Sequence, residues 1–353
     1  MFSRLIEPDF HRIVDVVNNR RADILPMYEH IVSYGVIGKI LGVEDLSGQL
    51  QSNSEEAYQK YNQFFYDAGY DAVPFEQCVV FAMPPGGAIS GGVGPIQDGA
   101  SLRKFPWNDI PKRYYEMAAP RFEAFARHMP KGMKGYGGVG NGVFELAEDL
   151  VGLEYLPFLE MDYPDAYADL YKRIGDLLEN VWSRFLHEFD EHFCAYRFGD
   201  DLGFRTSLLT SPGTARNNII PNYRRIIDLV HSHNKPFILH SCGCIFELMD
   251  DLIAVGINAK HSNEDIIAPF EIWIEKYSDR IGLLGGIDMD FLVRATPQEI
   301  KSVIAEKAPA FYKSANGFAV GCGNSISDYV PIDNYIAMVQ TVNEIRGKQA
   351  KNQ

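Results

Sequence analysis

Lys235-Pro236-Phe237-Ile238-Leu239-His240-Ser241-Cys242-Gly243-Cys244 passes from apolar to polar in a single step. Phe237, Ile238 and Leu239 have the composition of a short buried strand. Successive side chains of a strand point to opposite faces, so His240 and Cys242 leave its end on the same side. That places an imidazole and a thiol close enough to hold one metal ion, and Zn²⁺ prefers such ligands.

The same pattern repeats on both sides of this stretch. Upstream, an amphipathic helix over 167–189 precedes a strand over 193–198, which ends at Gly199-Asp200-Asp201-Leu202-Gly203. A helix with Tyr223, Ile226, Ile227 and Val230 on one face leads into 237–239. Downstream, a helix over 246–254 is followed by a strand over 257–260 ending at His261-Ser262-Asn263-Glu264-Asp265. Helix 270–277, strand 281–288, helix 297–313, strand 318–320 and helix 332–345 complete this half. Nearer the N-terminus, 3–20, 31–42, 54–67, 112–128 and 144–153 read as helices. Residues 23–30 and 77–83 read as strands. Residues 84–95, rich in Gly and Pro, read as a loop or small hairpin over a pocket. About eight strands, each followed by a helix, predict an α/β fold. The expected form is a (β/α)₈ TIM barrel with N-terminal helical additions, one domain over 1–353; a doubly wound sheet is the alternative. A barrel places its active site at the carboxyl ends of its strands. There the polar residues collect: Glu29, Asp200, Asp201, His240, Cys242, His261, Glu264, Asp288 and Cys322.

Composition narrows the class. A chain of 353 residues, 46% hydrophobic and 23% charged, is ordinary globular protein with enough apolar residues for a large core. The net charge of −14, with no basic stripe, argues against nucleic-acid binding. No apolar run approaches the roughly 20 residues needed to cross a bilayer, and residues 1–20 lack a signal-type segment. Five cysteines, an odd and sparse set, fit a reducing cytoplasm, where thiols serve metals or catalysis.

Cys322 stands between glycines at the end of the last strand. With His240 and Cys242 it makes a Cys₂His set with one open position, the pattern of a catalytic zinc. Cys244 competes with Cys242 unless Gly243 turns the chain away. Cys78 and Cys194 lie in apolar strands and read as core. Glu29, Glu264 and Asp201 are expected to supply a fourth ligand or to orient substrate. Asp200 and Asp265 read as caps of the helices that follow them. His261 reads as a substrate contact, as a partner to a ligand, or as an ordinary loop histidine. Gly135-Tyr136-Gly137-Gly138-Val139-Gly140 matches G-x-G-x-x-G but lacks the preceding apolar strand of a dinucleotide site. Residues 132–142 therefore read as a flexible loop near the mouth. No G-x-S-x-G, Walker A or H-E-x-x-H pattern is present.

Taken together, Gly199-Asp200-Asp201-Leu202-Gly203, His240-Ser241-Cys242-Gly243, Gly285-Gly286-Ile287-Asp288 and Gly321-Cys322-Gly323 resemble the uroporphyrinogen decarboxylase superfamily. The resemblance covers nearly the whole chain, most closely 190–345. It implies a (β/α)₈ barrel and one of two activities, porphyrinogen decarboxylation or zinc-dependent methyl transfer in corrinoid systems. The decarboxylases carry an R-Q-A-G-R motif after the first strand; here Met27-Tyr28-Glu29-His30-Ile31-Val32 stands in that place, with no arginine. Methyltransferases of the methyl-coenzyme M type hold zinc with a His-x-Cys pair and a distant cysteine, which His240, Cys242 and Cys322 match. The Glu/His zinc set of some O-demethylase relatives is not found. The resemblance thus implies a cytoplasmic methyltransferase. It would move a methyl group between a small thiol, methyl ether or methoxy compound and a corrinoid (cobalamin) carried by a partner protein. Asp201, Glu29 and His261 would shape its pocket. Loops 84–95 and 132–142 are expected to meet the corrinoid protein. The alternatives are a metal-free decarboxylase and a non-catalytic corrinoid- or tetrapyrrole-binding barrel. The identity of the methyl donor or acceptor and the oligomeric state stay open.

Overall fold

In the computed structural model, which describes residues 2, 4–84 and 92–352, seven strands lie side by side in sequence order. They are β1 (Val73–Cys78), β2 (Gly135–Gly140), β3 (Phe193–Gly199), β4 (Phe237–His240), β5 (Ala259–His261), β6 (Gly282–Ile287) and β7 (Phe318–Cys322). Every pairing is parallel, and helices separate each strand from the next. The chain is thus an α/β fold built on a curled parallel sheet, with all carboxyl ends on one side. The strand expected over 23–30 is reduced to a parallel bridge between Met27 and Val320. Tyr28 N–H donates to Val320 C=O, and Val320 N–H to Pro26 C=O, both at 3.0 Å. Pro26 has no N–H with which to extend that ladder.

Two cores follow from strand alternation. Inside the curl, Tyr28, Tyr136, Ile238, Ala259, Leu284 and Ala319 pack on Ile13, Val16 and Val17 of the helix His11–Val17. That helix covers the amino ends of β6 and β7, where Gly282 and Gly317 let the Val16 carbonyl approach the backbone. It is shorter than the 3–20 expected, and it starts only after Pro8, whose nitrogen has no hydrogen to donate. Outside the curl, Phe237 and Leu239 join the layer beneath the helices. Ile238 faces inward, so His240, two residues on, faces inward too. By the same parity Lys260 points outward, and its ammonium lies 4.3 Å from the Trp273 ring.

Two stretches differ from expectation. Residues 135–140 are not a loop but the wholly buried strand β2. Glycine gives no strand pattern to read, yet its missing Cβ is what lets the strand pack. A Cβ on Gly138 would stand 2.9 Å from Phe185, and Gly137 and Gly138 have φ of +127° and +101°. The strand expected over 77–83 lies earlier, at Val73–Cys78, and Val79–Ala82 forms a 3₁₀ turn that leaves Phe81 70% exposed. Most of the 84–95 segment, residues 85–91, lies outside the described residues.

Candidate metal centre and adjoining cavity

β4 and β5 are in register so that His240 stands beside His261. Their Nδ1 atoms are 2.8 Å apart, and His261 Nε2 lies 3.0 Å from the Cys322 carbonyl oxygen. A carbonyl only accepts, so His261 carries its proton on Nε2 and its Nδ1 is an acceptor. His240 must then donate from Nδ1, which leaves the lone pair on His240 Nε2. That lone pair points at Cys242 Sγ, 3.4 Å away. Burial lowers the pKa of both rings, to about 3 for His261 and well below the ordinary value for His240. Neutral rings in fixed tautomers are the form in which histidine ligates metals.

Among the described residues, Asp201, His240 and Cys242 offer ligand atoms within 4.8 Å of one another. Asp201 is the second residue after β3, and its Oδ1 accepts the Cys242 N–H at 2.9 Å, tying the two strand-end loops together. Asn324 donates to Cys242 Sγ (3.4 Å) and to Glu264 Oε1 (2.9 Å). Burial raises the Cys242 pKa, so its thiolate forms only beside a cation. One neutral imidazole, one such thiol and one carboxylate suit Zn²⁺.

Cys322 belongs to neither cluster of possible ligands. Ala319 packs in the inner core and Val320 in the outer, and Cys322 shares the parity of Val320. Its thiol donates to Glu29 Oε2 at 2.7 Å, and its N–H lies 3.2 Å from Glu29 Oε1. Glu29 is fully buried, which raises its pKa to about 8. Cys244 is also outside the clusters. Gly243, at φ +79°, packs against Gly203, and the Cys244 N–H bonds the Phe204 carbonyl at 2.6 Å. Cys194 is core, whereas Cys78 lines the cavity described below.

Asp200 caps a helix, but not the one that follows it. Its carboxylate accepts from the Phe144 and Glu145 N–H groups (3.0 and 2.7 Å) and from the Tyr223 hydroxyl. The first two lie in the first turn of the helix Val143–Val151. Asp265 does meet the helix that follows it, its carboxylate accepting from the N–H of Phe270 at the start of Phe270–Tyr277; its own N–H donates to Asp288 (3.0 Å), which caps the helix Met289–Arg294.

His30 passes unremarked in the sequence, being one more polar residue after Glu29. Its ring stacks on His240 with centroids 3.6 Å apart, and it also lies in a three-histidine group with His261. On its other side is a cavity of about 430 Å³ whose lining includes Tyr34, Tyr61, Phe75, Glu76 and Arg197. Glu76 and Arg197 were equally missed. The signal available was a charge inside an otherwise apolar strand.

Comparison with curated protein sequences gives no match. Among solved structures, a methyltransferase from Methanosarcina mazei superposes with TM-score 0.73 at 17% identity, over 94% of this chain and 97% of that one. Xylanase B from Clostridium stercorarium superposes with TM-score 0.40 at 12% identity, over 69% and 87%. The family model described as "Uroporphyrinogen decarboxylase (URO-D)" matches residues 145–345, more than half of the chain. That span holds β3 to β7 and the His240–Cys242 cluster, and the chain belongs to the uroporphyrinogen decarboxylase (URO-D) family.

Proposed function

We propose that this URO-D family member is a cytoplasmic zinc-dependent methyltransferase. It moves a methyl group between a small thiol or methyl ether and a corrinoid held by a partner protein, and its sheet closes into a (β/α)₈ barrel through residues 26–28. The observation that carries the reading is the hydrogen-bond relay from the Cys322 carbonyl through His261 to His240, which leaves His240 Nε2 facing Cys242. His240 and Cys242 are the proposed ligands. The third is Cys322 by resemblance, or Asp201 by proximity. Bound there, zinc supplies Lewis acidity that lowers a thiol's pKa or polarises an ether oxygen.

The chain's own groups do the rest. His261 holds the proton on His240 Nδ1, and Asp201 fixes the Cys242 backbone. Glu29 keeps a proton up to about pH 8 beside the Cys322 thiol. The cavity at His30 receives the substrate. Decarboxylation of a polycarboxylate is the weaker reading. Residues 27–32 contain no arginine, and the Arg197 guanidinium is committed to Glu76.

Metal analysis of the purified protein should find about one zinc per chain. Cys242→Ser should lose zinc and methyl transfer to a thiol together. Cys322→Ser and Asp201→Asn tell the third ligand, because only the true one should release zinc. Full transfer from methylcobalamin by zinc-free protein would sink the proposal.

A further inference from the structure

We propose that the cavity beside His30 binds the body of the substrate, and that it selects uncharged or cationic molecules with a flat apolar face over anions. The inference rests on the function proposed above and adds the substrate's charge class.

His30 is buried, and its Nδ1 has no hydrogen-bond partner. Such a buried polar atom costs free energy until something meets it. The ring lines the cavity on one side and stacks on His240 on the other. A ligand polar atom in the cavity would therefore sit one imidazole away from the proposed metal ligand.

The charge of the walls decides what else fits. Among the described residues lining the cavity, Arg197 is the one cation. Its guanidinium is fully buried and its charge is already paired with Glu76. Nη2 and Nε donate to Glu76 Oε2 at 2.6 and 3.2 Å, and Nη1 donates to the Tyr28 hydroxyl at 3.2 Å. Asp328 adds a second carboxylate at the rim. An anion entering here loses water and gains no free counter-charge. Tyr61, Phe75 and the exposed Phe81 offer aromatic faces instead. Such faces attract cations and flat apolar groups. A volume of about 430 Å³ suits a molecule of one or two rings.

Calorimetric titration of the zinc-loaded full chain with benzylamine, benzyl alcohol and benzoate tests this, since the three differ mainly in charge. Benzylamine and benzyl alcohol should each bind at least tenfold more tightly than benzoate. His30→Phe keeps the stacked ring and removes its nitrogens; it should weaken benzyl alcohol about tenfold. Glu76→Gln frees Arg197 and should reverse the order in favour of benzoate. Should that variant fail to fold, Phe81→Ala at the exposed rim should weaken benzylamine and benzyl alcohol with the thermal midpoint unchanged. Benzoate binding most tightly to the unaltered chain, no binding by any probe, or affinities indifferent to Phe81→Ala and His30→Phe would overturn the proposal. Zinc measured in the same samples separates the two readings. Loss of zinc counts against the metal centre, whereas a wrong charge order with zinc in place counts against the cavity assignment alone.

Discussion

A histidine ring can carry its proton on either nitrogen, and the contact between His240 and His261 leaves His240 one choice. His261→Phe should remove that constraint, and zinc affinity should fall about 10- to 100-fold by chelator competition. Unchanged affinity would show that the relay holds nothing. The neighbouring aspartates separate structure from chemistry. Asp200 satisfies two N–H groups in the first turn of the helix Val143–Val151 and the Tyr223 hydroxyl in full burial. Asp200→Ala should therefore cost about 2–4 kcal/mol in urea unfolding. Asp201 instead holds the Cys242 N–H, so Asp201→Ala should cut methyl transfer with less than about 1 kcal/mol lost. Equal destabilisation by both would refute the division. The inward placement of His240 was legible because strand alternation is local. The direction of the Cys322 thiol was not, because it depends on which core Val320 joins and on the distant carboxylate of Glu29. His30 was invisible for the same reason, since its meaning comes from a ring on another strand.

Helices and strands with a clear period were readable close to their ends: the helix Phe270–Tyr277 spans the residues expected, and Pro297–Ser314 differs by one. β2 was not, because its residues are mostly glycine and its existence depends on β1 and β3 pairing with it. Gly138→Val should thus destabilise the protein by about 2–4 kcal/mol, since the new side chain meets Phe185 and forces φ away from +101°. A loss under about 0.5 kcal/mol would mean that the strand yields easily. The helix Val143–Val151 carries a pH dependence. Burial, with Asp200 and Asp201 adding repulsion, raises the Glu148 pKa to about 8. Between the ordinary carboxyl value of 4.5 and 8 the folded state holds a proton that the unfolded chain has released. This group's contribution to stability therefore falls as pH rises through that window, and is constant above it. Glu148→Gln removes the titration, so its stability advantage over the unaltered chain should widen from pH 5 to pH 8. A constant gap in urea unfolding at the two pH values would contradict the assignment.

Across the whole molecule, parallel pairing gathers the strand-end loops on one face, and several present apolar side chains to solvent. Phe81, Phe204, Ile266 and Tyr329, on the loops after β1, β3, β5 and β7, are between 57% and 70% exposed. Under the proposed function this rim meets the corrinoid protein. Phe204→Ser with Ile266→Ser should then slow methyl transfer from the protein-borne corrinoid more than from free methylcobalamin. Equal slowing would assign the rim to the small substrate. Strand β2 takes no part as a moving loop, being buried throughout. None of the helices in the described residues is long and apolar enough to cross a membrane. The pairing of residues 26–28 with β7 also has a consequence for how the protein is made. Glu29 and its partner Cys322 are 293 residues apart, and Asp71, which holds Arg12, also pairs with Arg346. A ribosome adding about 5–20 residues per second needs roughly 15 to 60 s to cover that span. Throughout that interval the newborn chain carries Glu29 without Cys322, and Asp71, once made, has Arg12 but not yet Arg346. The first residues of the site are therefore among the last to be enclosed, and the emerging polypeptide is a natural client for chaperones until its final strand leaves the exit tunnel.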